Sequence, residues 1–170
     1  LWTYYSYPMY WYNSNLNNIT FDGLHFATTG SYNSTIYLYR GLHENLTWQN
    51  CEIEGPTYGS TSTSYSTFYA YYNSPQNVVL RNNVITGGSH GICFYYNDAY
   101  NYTNTANVTI DSNTVEDFYY AGIRCYGYSS YRTKYTITHN AVNNTNAGYS
   151  YPYGIYLYYS DDGSEIAYND

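Results

Sequence analysis

Gly154-Ile155-Tyr156-Leu157-Tyr158 is the last of six versions of one five-residue phrase, and its reading decides the fold. Back along the chain the others are Gly122-Ile123-Arg124-Cys125-Tyr126, Gly91-Ile92-Cys93-Phe94-Tyr95, Thr67-Phe68-Tyr69-Ala70-Tyr71, Thr35-Ile36-Tyr37-Leu38-Tyr39 and Pro8-Met9-Tyr10-Trp11-Tyr12. In each, the second and fourth positions are apolar and the fifth is tyrosine. Alternation with a period of two fits a strand with one buried face and contains no helical period. Each version therefore reads as one β-strand, and the chain as a repeat protein.

A second strand type alternates with the first: Asn18-Ile19-Thr20-Phe21, Asn45-Leu46-Thr47-Trp48, Asn77-Val78-Val79-Leu80, Asn107-Val108-Thr109-Ile110, Lys134-Tyr135-Thr136-Ile137 and, more weakly, Gly163-Ser164-Glu165-Ile166. Three residues after each comes one column, Leu24, Cys51, Asn83, Asn113, Asn140 and Asn169, and two residues further an apolar one, Phe26, Ile53, Ile85, Val115 and Val142. Self-similarity at roughly 25 to 32 residues, with short strands and turn-rich connections, reads as a solenoid. The pattern N-V-T-I-x-x-N-x-V followed by G-I-x-hydrophobic, clearest from Asn107 to Tyr126, resembles the right-handed parallel β-helix repeat family that includes pectate-lyase-like and NosD-like proteins. The resemblance implies an all-β, single-stranded right-handed parallel β-helix of about six coils. It implies nothing as definite about function, because this architecture hosts lyases, hydrolases, adhesins and structural fibres.

Residues 1–170 read as a single repeat domain; opening on Leu1 rather than methionine, the chain is expected to be a processed product or a segment of something longer, and the phase of its repeats adds the expectation of one period of a longer array. Thirty tyrosines and three tryptophans supply the apolar area that a disordered polar chain lacks. A net charge of −7 with five basic residues argues against a nucleic-acid partner and against a basic membrane-surface patch. No apolar run approaches the ~20 residues of a membrane-spanning helix. Of the three cysteines, register turns Cys125 inward and Cys93 outward and puts Cys51 in the asparagine column, so separate free thiols are expected.

Asparagine recurs at Asn83, Asn113, Asn140 and Asn169. A side-chain amide offers donors and an acceptor, so copies stacked ~4.8 Å apart are expected to form a structural ladder. The long connections, Glu54 to Ser66, Tyr96 to Ala106 and Asn143 to Tyr153, are expected to project sideways, because neighbouring coils occupy the axial direction.

For chemistry the signals are sparse. Enzymes of the resembled family use clustered acidic Ca²⁺ ligands with an arginine or lysine base, or several aspartates near a Gly-His-Gly. Gly88-Ser89-His90-Gly91 is faintly similar to the latter and Asp161-Asp162 to an acidic pair, but they lie two coils apart, so a solvated turn histidine and a turn-forming Asp-Asp-Gly are expected. Arg124 is the single catalytic candidate, weighed against a surface arginine lying over tyrosine rings. No cofactor or metal is expected; Ca²⁺ enters only with an enzyme reading. Asn18, Asn33, Asn45, Asn101, Asn107 and Asn143 begin N-x-S/T sequons, compatible with a glycosylated exterior protein.

The unusual feature is the column Tyr12, Tyr39, Tyr71, Tyr95, Tyr126 and Tyr158, which alternation places outside, flanked by Tyr10, Tyr37, Tyr69 and Tyr156. Such a stripe is expected to be an interaction surface for another copy, a covering loop or the flat face of a sugar ring. The phase of the repeats adds that Asn169 and Asp170 run on to Leu1 in register, eight residues ahead of Met9 as Val115 is ahead of Ile123. The expected function is a module of an extracellular or cell-surface fibre, filament or adhesin that stacks on itself end to end, with glycans as further partners. The alternative is a carbohydrate-active enzyme, a lyase or hydrolase, or a carbohydrate-binding module.

Overall fold

The computed structural model describes residues 7–28, 30, 33–97, 106–127, 133–145, 148–161 and 163–170. The chain winds into turns of three strand positions. The first turn has β1 (Met9–Tyr12), β2 (Leu16–Asp22) and β3 (His25–Ala27); the second, β4 (Ile36–Gln49) and β5 (Glu52–Glu54); the third, β6 (Phe68–Arg81) and β7 (Val84–Thr86). The fourth has β8 (His90–Asn97), β9 (Asn107–Asp111) and β10 (Thr114–Glu116); the fifth, β11 (Ala121–Gly127), β12 (Lys134–Thr138) and β13 (Ala141–Asn143); β14 (Tyr153–Tyr158) and β15 (Glu165–Ala167) begin a sixth. Five complete turns and part of another thus stand where about six coils are expected. In the second and third turns the first two strand types run on as one 14-residue strand.

Strand pairing is parallel from turn to turn, and the register keeps each sequence column intact: Ile36, Phe68, Ile92, Ile123 and Ile155 are successive partners, as are Ile53, Ile85, Val115 and Val142. The architecture is a parallel β-helix. Its corners are columns of left-handed residues. One comprises Gly23, Asn50, Asn82, Ser112, His139 and Tyr168, with φ between 54° and 64° except Asn50 at 53°. Asparagine and glycine suit that conformation, but a neighbouring corner places Arg40, Tyr72, Tyr96 and Tyr159 there too, at φ 52° to 59°.

The core is one column of apolar side chains along the axis. Phe21 stacks on Trp48 with centroids 5.0 Å apart, and Trp48 meets Phe68 edge-on at 5.0 Å. Burying each large side chain contributes ~1.5–3 kcal/mol. Where β8 and β11 pass closest to the wall opposite there is room only for glycine: a Cβ on Gly91 would come 2.3 Å from Val115 Cγ1, and one on Gly122 would come 2.3 Å from Val142 Cγ1. The two end turns are open. Ile19, Phe21 and Phe26 point inward but are only half-buried, and Ile166 is 51% exposed.

Between the apolar strands runs a ladder of amides. Asn83 Nδ2 donates to Asn113 Oδ1 at 2.9 Å, Asn113 Nδ2 to Asn140 Oδ1 at 3.0 Å and Asn140 Nδ2 to Asn169 Oδ1 at 2.9 Å. Each Nδ2 also donates to the last inward strand carbonyl of the preceding turn, at Trp48, Leu80, Ile110 and Ile137, and each Oδ1 accepts the N–H of the equivalent residue one turn earlier. Cys51 takes the rung before Asn83, its Sγ 3.5 Å from Phe21 O and 3.2 Å from Gln49 O, where an amide would donate. Buried backbone polar groups that the corners would orphan are thereby satisfied. No helix among the described residues is long and apolar enough to cross a membrane.

Candidate interaction surface

The outward tyrosines form one continuous stack. From Tyr12 through Tyr39, Tyr71, Tyr95 and Tyr126 to Tyr158 successive centroids lie 4.9 to 5.9 Å apart with planes inclined by 24° to 38°. This follows from register: parallel turns repeat at the ~4.8 Å strand spacing, so like side chains on one column must lie over one another. Since each ring turns its faces towards its neighbours, ring edges and hydroxyls are what the stack offers outward. Full faces are offered only at its ends, where Tyr12 is 56% and Tyr158 43% exposed. A sugar ring lying flat along the whole column, one of the partners expected from sequence, is therefore a poorer fit than a partner reading a row of phenols.

The only charges against the stripe among the described residues are two guanidinium groups, Arg40 over Tyr39 at 5.2 Å and Arg124 over Tyr95 at 5.1 Å. Burial raises the phenol of Tyr71, and burial together with the hydrogen bond to Tyr96 pushes Tyr95 up to about 12. The Tyr158 phenol is raised chiefly by its hydrogen bond to Tyr159. Ionisation therefore plays no part near neutral pH.

The flanking column changes character along the axis. Tyr10, Tyr37 and Tyr69 stack at 5.3 and 5.0 Å, but Cys93 and Arg124 continue the column before Tyr156. Tyr69 and Cys93 occupy outward register positions yet are 4% and 0% exposed. The reason is the connection from Glu54 to Ser66, which lies back on the body instead of projecting. Its 3-10 turn, Thr63–Tyr65, hydrogen-bonds the Tyr69 hydroxyl through Thr63 Oγ1 at 2.9 Å, and Ser34 and Ser89 donate to Ser64 O and Ser62 O at 3.2 and 2.6 Å. All three cysteines are free and buried, and burial pushes the Cys93 thiol up to about 12.

The same cover buries His90 completely, where a solvated turn residue is expected from sequence. Ser89 Oγ and Ser66 Oγ each donate to a loop carbonyl at 2.6 Å, so they accept from His90 Nδ1–H at 2.9 and 3.3 Å. That leaves Nε2 to accept from Arg124 Nη1 at 3.2 Å. Burial and then the guanidinium charge push the imidazole down to about 3, so it stays neutral. Arg124 lies 5.1 to 6.0 Å from the ring centroids of Tyr95, Tyr120, Tyr126 and Tyr156. His90 and Arg124 are thus in contact, a pairing that the sequence did not suggest, but as packing: the histidine is sealed and the guanidinium sits among aromatic rings. Asp161 accepts from Gly163 N and Ser164 N in a tight turn, and Asp162 lies outside the described residues.

The sequons divide by environment. Asn45 Nδ2 donates to Asn18 Oδ1 at 2.8 Å, Asn77 Nδ2 to Asn45 Oδ1 at 2.9 Å, and Asn107 Oδ1 accepts Asn77 N at 2.9 Å, so three sequon asparagines belong to a second, exterior ladder. Sequence reasoning missed it by reading them only as acceptors of glycan; the recurrence of Asn18, Asn45, Asn77 and Asn107 at the head of four successive second strands was the available signal. Asn33 Nδ2 is buried, Asn143 is exposed, and Asn101 lies outside the described residues. Elsewhere, a groove of about 280 Å³ lies between the covering loop and the fourth turn, lined by Pro56, Tyr58, Tyr119, Glu54 and Asp117 among others. His25, Glu52 and Glu54 bring three potential metal-ligand atoms within 4.8 Å of one another on the exposed outer face of β3 and β5.

A family model described as right handed beta helix region matches residues 9–170. No curated protein and no solved structure matches the chain.

Proposed function

Because the chain belongs to the right-handed β-helix family, whose scaffold carries many unrelated activities, we propose its function from its surface: a structural and interaction module of an exported surface fibre, filament or adhesin. Its coils stack end to end, and its tyrosine stripe meets a partner. The stripe is the observation that carries this reading. Neutral stacked rings running past every turn form a larger apolar feature than singly exposed residues, and aromatic groups with a polar tip are the side chains that dominate contact surfaces. His90 and Arg124, the groups best suited to acid–base chemistry, are engaged in packing, which favours a module over a polysaccharide lyase or hydrolase.

The test is negative-stain microscopy with sedimentation of the intact protein and of a variant carrying Tyr71→Ser, Tyr95→Ser and Tyr126→Ser. The expected outcome is filaments or concentration-dependent assemblies that the variant weakens by roughly tenfold or more in Kd, from contact residues worth over ~1 kcal/mol each. Circular dichroism of the variant should remain that of the parent. A monomer at high concentration, or unchanged association in the variant, would sink the reading.

A further inference from the structure

Consecutive residues of a strand point to opposite faces, yet Tyr95 and Tyr96 lie ring to ring, and so do Tyr158 and Tyr159. The cause is the left-handed corner: φ is 54° at both Tyr96 and Tyr159, which swings each ring back beside its predecessor. Centroids are 4.3 Å apart in the first pair and 4.2 Å in the second, and both pairs are linked by a side-chain hydrogen bond. These are the two shortest ring separations among the described residues, so the two rings of each pair are already in contact.

Other rings extend the array. Tyr126 lies 5.0 Å from Tyr95, 5.4 Å from Tyr96, 4.9 Å from Tyr158 and 6.0 Å from Tyr159, so an electron vacancy formed on one ring has a neighbour at every step. Sulfur groups, which usually intercept oxidants first, are withdrawn: Cys51, Cys93 and Cys125 are 0 to 2% exposed and Met9 6%.

We propose that the stripe is a site of oxidative cross-linking, at which adjacent tyrosines are joined as dityrosine, with Tyr95–Tyr96 and Tyr158–Tyr159 the first pairs. The oxidant is hydrogen peroxide acting through a haem peroxidase. Each phenol gives up one electron and one proton, and the two phenoxyl radicals couple at carbons ortho to oxygen. The hydrogen on each coupled carbon then moves to oxygen and restores the phenol. Two tyrosines and one peroxide yield one dityrosine and two waters. The coupling needs only ring geometry and this oxidant, whatever partner the stripe meets.

The experiment treats dilute intact protein with hydrogen peroxide and a haem peroxidase, then reads dityrosine fluorescence and maps the loss of two hydrogens by peptide mass spectrometry. Tyr151 and Tyr168, 80% and 77% exposed, serve as internal comparison because they are the most open of the described tyrosines. Expected are intramolecular links at Tyr95–Tyr96 and Tyr158–Tyr159, a yield more than halved by Tyr96→Phe with Tyr159→Phe, and a yield held by Tyr151→Phe with Tyr168→Phe. The phenylalanine variants keep the rings, so circular dichroism should be unchanged. Links concentrated at Tyr151 and Tyr168, the same pattern in denaturant, or no dityrosine would overturn the proposal.

Discussion

At the scale of single residues, polar groups inside this solenoid are useful only when paired. Asn113 is the clearest case, since it donates to Leu80 O and Asn140 Oδ1 and accepts from the N–H and side chain of Asn83. Asn113→Ala leaves buried partners unmet at ~1–3 kcal/mol each, so a loss of about 3 kcal/mol or more is expected in urea unfolding. His43 is the opposite case. It is buried between Leu16 and Pro75, close to Asn73, and burial pushes it down to about 4. A folded-state value below the unfolded ~6.5 means that the unfolded chain binds the proton first. The stabilisation is therefore complete above pH ~6.5 and lost as pH falls through about 4, a change on the order of 3 kcal/mol. Between pH 7 and 4, His43→Leu is expected to flatten the fall in Tm, leaving the part due to His90; an unaltered slope would mean that protons bind elsewhere.

At the scale of elements, the approach of one wall to another decides which glycines matter. A Cβ on Gly122 would meet Val142 Cγ1 at 2.3 Å and Gly154 O at 2.8 Å, whereas one on Gly154 meets only Val142 Cγ1 at 4.0 Å. Gly122→Ala is thus expected to cost ~1–3 kcal/mol by overpacking, and Gly154→Ala to stay within ~0.5 kcal/mol, measured side by side by thermal unfolding. Sequence shows both glycines opening the same phrase and gives no means of ranking them. The covering loop teaches the same lesson. Nothing in its Ser- and Thr-rich composition says that its carbonyls Ser62 O and Thr63 O will fix Ser89 and Ser66, and through them His90 and Arg124. The links Ser89 to Ser62 and Arg124 to His90 join residues 27 and 34 positions apart, and their partners are chosen by where the loop lands.

At the scale of the whole molecule, stability is a sum over turns and their interfaces. Residues of the middle turns such as Ile85, Ile92 and Val108 are 0 to 1% exposed, while β15 carries Ile166 at 51%. Hydrogen exchange is therefore expected to be slowest in β6, β8 and β9 and to quicken towards β1 and β15. Equal protection along the axis would show instead that all turns open as one unit.

The sequence by itself determined the strand columns, their parallel stacking and the outward side of the tyrosines, because alternation and period are local properties that each turn repeats. It also contained the amide columns, since a ladder needs only the same residue at the same place in successive turns. Tertiary structure alone decided which outward positions are covered, that His90 is sealed and in contact with Arg124, and that Tyr95–Tyr96 and Tyr158–Tyr159 lie ring to ring. The physical reason is that these depend on the path of a non-repeating loop and on backbone angles at corners, and neither has a period to read.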